Sequence, residues 1–190
     1  MSLLPVTPSQ TIGPFYGEAL PVPGGGELAP AGRPDTVTLH GRVYDGGGTP
    51  VPNALLEFWQ AAPDGSLAGA PGSLDRDGVA FTGFARVPTR RDGRYVLRTL
   101  PPGGAPFLSL CVFAPGLSRH LFTRVYFALP EDDPLLSALP AGRRATLLAT
   151  EDPGTHRGYR FDVRLSGERE TVFLEFPGPG GTEESRPSGS

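Results

Sequence analysis

A chain of 190 residues with a formal charge of −3 and a single cysteine suits one domain, which at this length buries roughly 70% of its unfolded surface without disulfide support. The charge excludes the broad basic field that nucleic-acid binding needs, and the lone Cys111 excludes an intrachain disulfide and suits a reducing cytoplasm. No window approaches the roughly 20 apolar residues of a membrane span, and the N-terminus lacks the basic region of a signal peptide, so the expected partners are small molecules and protein.

Residues 1–35 contain Pro5, Pro8, Pro14, Pro21, Pro23, Pro30 and Pro34, each fixing φ and biasing its predecessor toward extended geometry. This predicts an extended arm lying on a surface. Within it, TPSQTIGPFY (residues 7–16) is too aromatic for a solvated linker, which predicts that something covers it. In residues 36–60, Val37, Leu39, Gly41 and Val43 alternate with Thr38, His40, Arg42 and Tyr44, the period of two of a half-buried strand. A turn through Gly46, Gly47, Gly48, Pro50 and Pro52 leads to a second strand over the apolar run from Ala54 to Trp59. Trp59 is expected on its core side.

After a loop over residues 61–77, residues 79–86 and 95–99 read as a hairpin around the turn Arg90, Arg91, Asp92, Gly93. Residues 107–113 are apolar except for Ser109, the pattern of a strand buried on both faces. Residues 121–127 alternate again, one short helical turn fits within residues 131–140, and Arg143 and Arg144 form a charged connection. Residues 159–165 and 171–176 read as a terminal hairpin, and residues 177–190 as a disordered tail. The result is an all-β domain over residues 36–176, a two-sheet β-sandwich of about eight strands, with no βαβ rhythm.

The residues alone show no catalytic constellation. His40, His120 and His156 are far apart, the first on a polar strand face and the others in turns, whereas metal sites cluster their donors. Glu131, Asp132 and Asp133, like Glu151 and Asp152, sit beside prolines in turns where charge is usually solvated. Cys111 reads as a small buried apolar side chain. No nucleophile elbow, zinc motif, phosphate loop or dinucleotide fingerprint is present.

Three segments, TPSQTIGPFY (7–16), HGRVYD through PVPNALLEFWQ (40–45 and 50–60), and GYRFDV with ETVFLEF (158–163 and 170–176), resemble in order and spacing the intradiol ring-cleavage dioxygenases. They are most similar to the alpha chains of the two-chain members that act on 3,4-dihydroxybenzoate. In the iron-bearing beta chains of that family, two tyrosines and two histidines hold Fe(III). The matching positions here are Leu67, a gap at residues 102–105, Phe107 and Ser109, so the resemblance implies no catalytic iron in this chain and Fe(III) in a partner beta subunit.

The resemblance further implies that the arm walls the partner's site, where an aromatic substrate meets O2. Thr11, Gly13 and Pro14 match residues that approach the bound catecholic acid, through a hydroxyl, a close backbone and a rigid apolar face. The other reading of this segment is a structural brace. Arg124, outward on its strand, offers positive charge to the substrate carboxylate or to the interface. Two rival functions remain at this point. One is a free-standing binding module without catalysis. The other is an iron enzyme acting alone with ligands from Tyr16, Tyr44, Tyr95 or a distant histidine.

Overall fold

The computed structural model describes residues 8, 10–13, 15–67 and 74–176. Its strands are β1 (Val37–Tyr44), β2 (Leu55–Trp59), β3 (Phe84–Pro88), β4 (Arg94–Thr99), β5 (Phe107–Phe113), β6 (Leu121–Tyr126), β7 (Thr150–Asp152), β8 (Gly158–Arg160) and β9 (Val163–Arg164). The helices α1 (Tyr16–Ala19), α2 (Pro134–Ser137) and α3 (Ala141–Arg144) are single turns. A five-stranded sheet runs β4-β1-β8-β7 with β9 also pairing β1, and a four-stranded sheet runs β3-β2-β5-β6. Each sheet has one apolar face, and the two faces pack on each other, as the alternating patterns require. Leu39, Val43, Leu97, Phe161 and Val163 meet Leu56, Phe58, Ala85, Leu108, Leu110, Val112 and Val125 in one core.

The expected all-β sandwich is therefore present, but several pairings differ from the sequence reading. β3 and β4 do not form a hairpin, because β3 pairs with β2 and β4 with β1, so the Arg90–Gly93 turn carries the chain from one sheet to the other. The first of these strands also starts later than expected, at Phe84, with Val79 exposed in the preceding loop.

The terminal hairpin is absent as well. β8 and β9 lie parallel to β1, and residues 171–176 leave them so that Leu174 donates its N–H to the Phe122 carbonyl of β6 at 2.8 Å. β5 buries Leu108, Leu110 and Val112 on one face only, with Phe107, Ser109, Cys111 and Phe113 half-buried on the other. Trp59 points away from the core and is 47% exposed. Its parity along β2 with Glu57, opposite Phe58, leaves no other choice once Phe58 is inside.

The arm seals the open side of the sandwich. The Gly25 carbonyl accepts the Arg86 N–H of β3 at 3.0 Å, and the Gly26 carbonyl accepts the Arg98 N–H of β4 at 2.8 Å, so one strap caps both edge strands. A Cβ on Gly26 would stand 2.8 Å from Val87 Cγ1 and from the Val96 carbonyl, which is why the strap is glycine there. The expected disordered tail, residues 177–190, lies outside the described residues.

Candidate functional site

The positions that the resemblance matches to iron ligands lie at the end of loop 62–67, at residues 102–105 and at the start of β5. Loop 62–67, which follows β2, packs on residues 103–104. Gly103 donates its N–H to the Ala62 carbonyl at 3.1 Å, and a Cβ on Gly65 would lie 3.5 Å from the Gly104 backbone. Leu67 ends that loop 63% exposed, and β5 begins directly after, placing Phe107 and Ser109 on the outer face with Ser109 opposite Trp59. Leu and Phe have no donor atom, and one neutral serine hydroxyl is a poor ligand for a ferric ion, so these residues do not fit iron. Among the described residues, no three His, Cys, Asp or Glu side chains gather as a metal site.

The rest of this face follows from strand register. One row across β3, β2, β5 and β6 reads Phe84, Trp59, Ser109, Arg124, and the next reads Arg86, Glu57, Cys111, Phe122. Between them lies a shallow groove of about 440 Å³ walled by Trp59, Phe84 and Phe122 and floored by Leu110 and Cys111. At its rim Arg86 donates from Nε to Glu57 Oε1 at 2.7 Å. Burial, with the Glu57 charge nearby, pushes the Cys111 thiol up to about 12, so it stays protonated and unreactive at neutral pH. Cys111 is thus only half-buried, and on the outer face, not a core residue as its sequence setting suggested. His120 packs tilted against Phe113 at 5.5 Å and edge-to-face against Phe122 at 4.8 Å between ring centroids, a packing role in place of ligation.

Arg124 does face outward, but its charge is engaged within the chain. Its guanidinium lies 3.9 Å above the Phe107 ring centroid, and Nη1 donates to the Tyr126 hydroxyl at 3.0 Å and to Asp133 Oδ2 at 3.3 Å. The side chain remains 28% exposed. Asp133 was expected in a solvated acidic run, yet it is buried. Its Oδ1 caps α2 by accepting the Leu135 and Leu136 N–H groups, and its Oδ2 accepts the Tyr126 hydroxyl at 2.8 Å. Burial alone would raise this carboxyl, but the Tyr126 hydroxyl, the two amides and the Arg124 charge hold it below the ordinary carboxylate value. The readable signal was Asp133 followed by Pro134, an N-cap followed by proline at the first helical position.

In the arm, Thr11 Oγ1 accepts the Gly116 N–H at 2.8 Å, tying it to the turn between β5 and β6. That bond uses an oxygen lone pair and leaves the hydroxyl hydrogen free to donate. Gly13 is exposed, and nothing lies within 4 Å of where its Cβ would stand. Pro14 lies outside the described residues. The structure does not bring Thr11 and Arg124 together, since Arg124 is three residues along β6 from its Leu121 end, about 10 Å by strand rise alone. Tyr16 stacks on Phe113 at 5.5 Å, so α1 covers the end of the sheet nearest the Gly116 turn.

The opposite face of the molecule is polar. Arg94, Arg42, His40, Arg160, Thr150 and Asp152 line a cleft of about 380 Å³ on the five-stranded sheet, with His40 Nε2 2.8 Å from Asp152 Oδ2 and Arg160 paired with Asp162 at 2.7 Å. Arg160 with Asp162 is a surface ion pair, while His40 and Asp152 form a half-buried hydrogen bond. His40 does stand on the polar face of β1, as its parity required.

Comparison with known proteins agrees with this geometry. A family model described as Dioxygenase matches residues 13–167. The chain is similar to the Protocatechuate 3,4-dioxygenase alpha chain of Burkholderia cepacia, with 41% identity over 198 residues covering 92% of this chain and 100% of the relative. It is also similar to the Protocatechuate 3,4-dioxygenase beta chain of the same organism, with 30% identity over 159 residues covering 72% and 67%. Among solved structures it is similar to the dioxygenase domain of a dioxygenase carbohydrate-binding protein fusion from Streptomyces sp. SirexAA-E, at 26% identity and a TM-score of 0.54, covering 85% of this chain and 99% of that one.

Proposed function

The chain belongs to the intradiol ring-cleavage dioxygenase family, and from that premise we propose that it is the iron-free alpha subunit of a hetero-oligomeric protocatechuate 3,4-dioxygenase. Its partner is a beta subunit that carries the Fe(III) and opens the ring of 3,4-dihydroxybenzoate with O2. The observation that carries this reading is the side-chain chemistry at the matched positions, Leu67, Phe107 and Ser109, together with the lack of any three gathered His, Cys, Asp or Glu among the described residues. A chain that keeps the architecture of the family while its ligand positions hold Leu and Phe cannot itself hold the metal. The lone, protonated Cys111 suits the reducing cytoplasm in which such an enzyme works.

This chain's part is to wall and orient. Thr11, anchored through Gly116, presents a donor hydroxyl toward the partner's site. Gly13 leaves room for close backbone approach, and Pro14 beside it adds a rigid apolar surface. Arg124, held rigid by Asp133 and Phe107, adds a fixed positive charge to the same side of the molecule, for the substrate carboxylate or the interface.

The test is to purify the chain alone and with its beta subunit. The chain alone is expected to be colourless, without stoichiometric iron and without oxygen uptake on 3,4-dihydroxybenzoate, whereas the mixture takes up oxygen. A visible charge-transfer band with bound iron in the isolated chain would overturn the assignment.

A further inference from the structure

The outer face of the five-stranded sheet is not a continuous ladder. β8 pairs with β1 as far as His40 opposite Arg160, and β9 pairs with it again from Val43 opposite Val163. Between the two pairings, Phe161 turns into the core, and Asp162 Oδ1 stands in for a ladder carbonyl by accepting the Arg42 N–H at 2.9 Å. The cleft of about 380 Å³ lies at this break, with Arg94 of β4, Arg42 and His40 of β1, Arg160 of β8 and Thr150 of β7 along its lining.

Within the cleft the acceptors are taken and the donors are not. Asp162 Oδ2 accepts Arg160 Nε at 3.1 Å and Nη2 at 2.7 Å. Asp152 Oδ1 accepts the Gly154 N–H at 3.0 Å, and its Oδ2 accepts the Thr155 hydroxyl at 3.2 Å and lies 2.8 Å from His40 Nε2. Glu151 stands opposite Tyr159, one residue out of step with the row that holds Thr150 and Arg160, so strand parity turns its side chain away from that row. On the donor side, the Arg42 guanidinium meets only Asp92, at 3.6 Å. The Arg94 guanidinium meets no carboxylate within ion-pair distance among the described residues. Arg42 and Arg94 are direct cross-strand partners on the same face, where like charges repel. Two guanidinium forks with unused N–H groups therefore stand side by side in a concave, polar setting.

We propose that this cleft binds a small multivalent anion whose oxygens reach both the Arg42 and the Arg94 forks. Such an anion replaces the repulsion between the forks with charge-assisted hydrogen bonds, and phosphate groups and polycarboxylates share the required chemistry. The site goes beyond the alpha-subunit reading and does not depend on it. Because the cleft is open to water and salt, a dissociation constant of about 1 mM at low ionic strength is expected.

The test is titration calorimetry on the full chain in low-salt, phosphate-free buffer, with inorganic phosphate, propane-1,2,3-tricarboxylate and acetate as separate probes. One of the two multivalent anions is expected to bind saturably, and acetate at least about 10-fold more weakly, since one carboxylate satisfies only one fork. Tighter binding of phosphate assigns the site to a phosphate-bearing ligand, tighter binding of the tricarboxylate assigns it to a polycarboxylate, and either supports the proposal. Arg94→Gln, with circular dichroism confirming the fold, is expected to weaken binding at least about 10-fold, the loss of one charge-assisted partner. Arg98→Gln removes the same charge from the same strand outside the cleft and is expected to change binding less than about 2-fold.

No saturable binding of either multivalent anion below about 20 mM overturns the site. Acetate binding as tightly as both overturns the use of two forks. Equal weakening by Arg94→Gln and Arg98→Gln reduces the effect to diffuse surface charge and overturns the proposal.

Discussion

On the outer face of the five-stranded sheet, Arg42, Arg94, Arg98 and Arg160 stand beside Asp92, Glu27, Asp152 and Asp162. The corresponding face of the four-stranded sheet carries Phe84, Trp59, Cys111 and Phe122, with Glu57, Arg86 and Arg124 at its rim. Both faces come from the same alternation of side chains across a strand. The first is chemically a solvent surface, since exposed pairs contribute little and need no cover. The second keeps large apolar groups in water, which a free monomer gains nothing from.

The largest effect that separates structural from assembly roles lies at Gly41 in β1. A Cβ there would run into the Phe161 carbonyl and stand 3.2 Å from the Tyr95 ring, whose hydroxyl donates to that same carbonyl at 2.7 Å. Gly41→Val is expected to cost more than about 4 kcal/mol, the range of core disruption. It should abolish the cooperative thermal transition, although it lies beneath the charged face and touches none of the aromatic residues of the other face. A variant that melts normally would show that β8 and β9 can separate from β1.

Next is Asp133→Ala, which removes the α2 cap and leaves the Tyr126 hydroxyl and Arg124 without their carboxylate. A loss of about 2–4 kcal/mol is expected in urea titration at pH 7. Because the folded carboxyl is held below its unfolded value, its contribution is full above the unfolded pKa of about 3.9 and fades as pH falls through the lower folded value. The gap between Asp133→Ala and the parent should therefore narrow below about pH 4. A gap constant down to pH 2 would mean that the carboxylate is not the stabilising form.

A smaller, functional effect is expected at Gly13. A Cβ on Gly13 meets none of the described residues within 4 Å, so with Gly13→Val the folding and iron content of the alpha–beta complex should be unchanged while kcat/KM falls about 10-fold or more through lost close approach. Unchanged kinetics in an intact complex would reduce the arm to a brace, and weakened assembly with normal turnover would place it at the interface only.

The smallest effect belongs to the charged face. His40→Ala breaks the half-buried 2.8 Å contact with Asp152, and a change of about 1 kcal/mol is expected from one hydrogen bond, with no change in beta-chain affinity. A loss of that affinity would erase the distinction between the faces.

Much of this protein was legible in its residues. The alternation in β1, β4 and β6 reports a backbone property, successive side chains on opposite faces, and so the all-β class and the inward set Val37, Leu39, Gly41 and Val43 needed no structure. That Leu67 and Phe107 carry no donor atom, and Ser109 only a neutral hydroxyl, is likewise a property of side-chain chemistry alone. The Asp133 cap was readable too, but its burial was not, because that depends on Tyr126 and Arg124 arriving from another strand.

Tertiary structure decided which sheet each strand joined. Alternation shows that a strand has a buried side, but it does not say whose N–H and C=O groups lie beside it, and that choice depends on closing long loops between distant segments. Hence β3 and β4, adjacent in sequence and joined by a tight turn, separate into different sheets, while β8 and β9 return to lie parallel to β1 more than a hundred residues away. The same uncertainty hid Trp59. With Leu56 and Phe58 already facing the core, the parity of the strand sent the one tryptophan outward, onto the exposed face of its sheet.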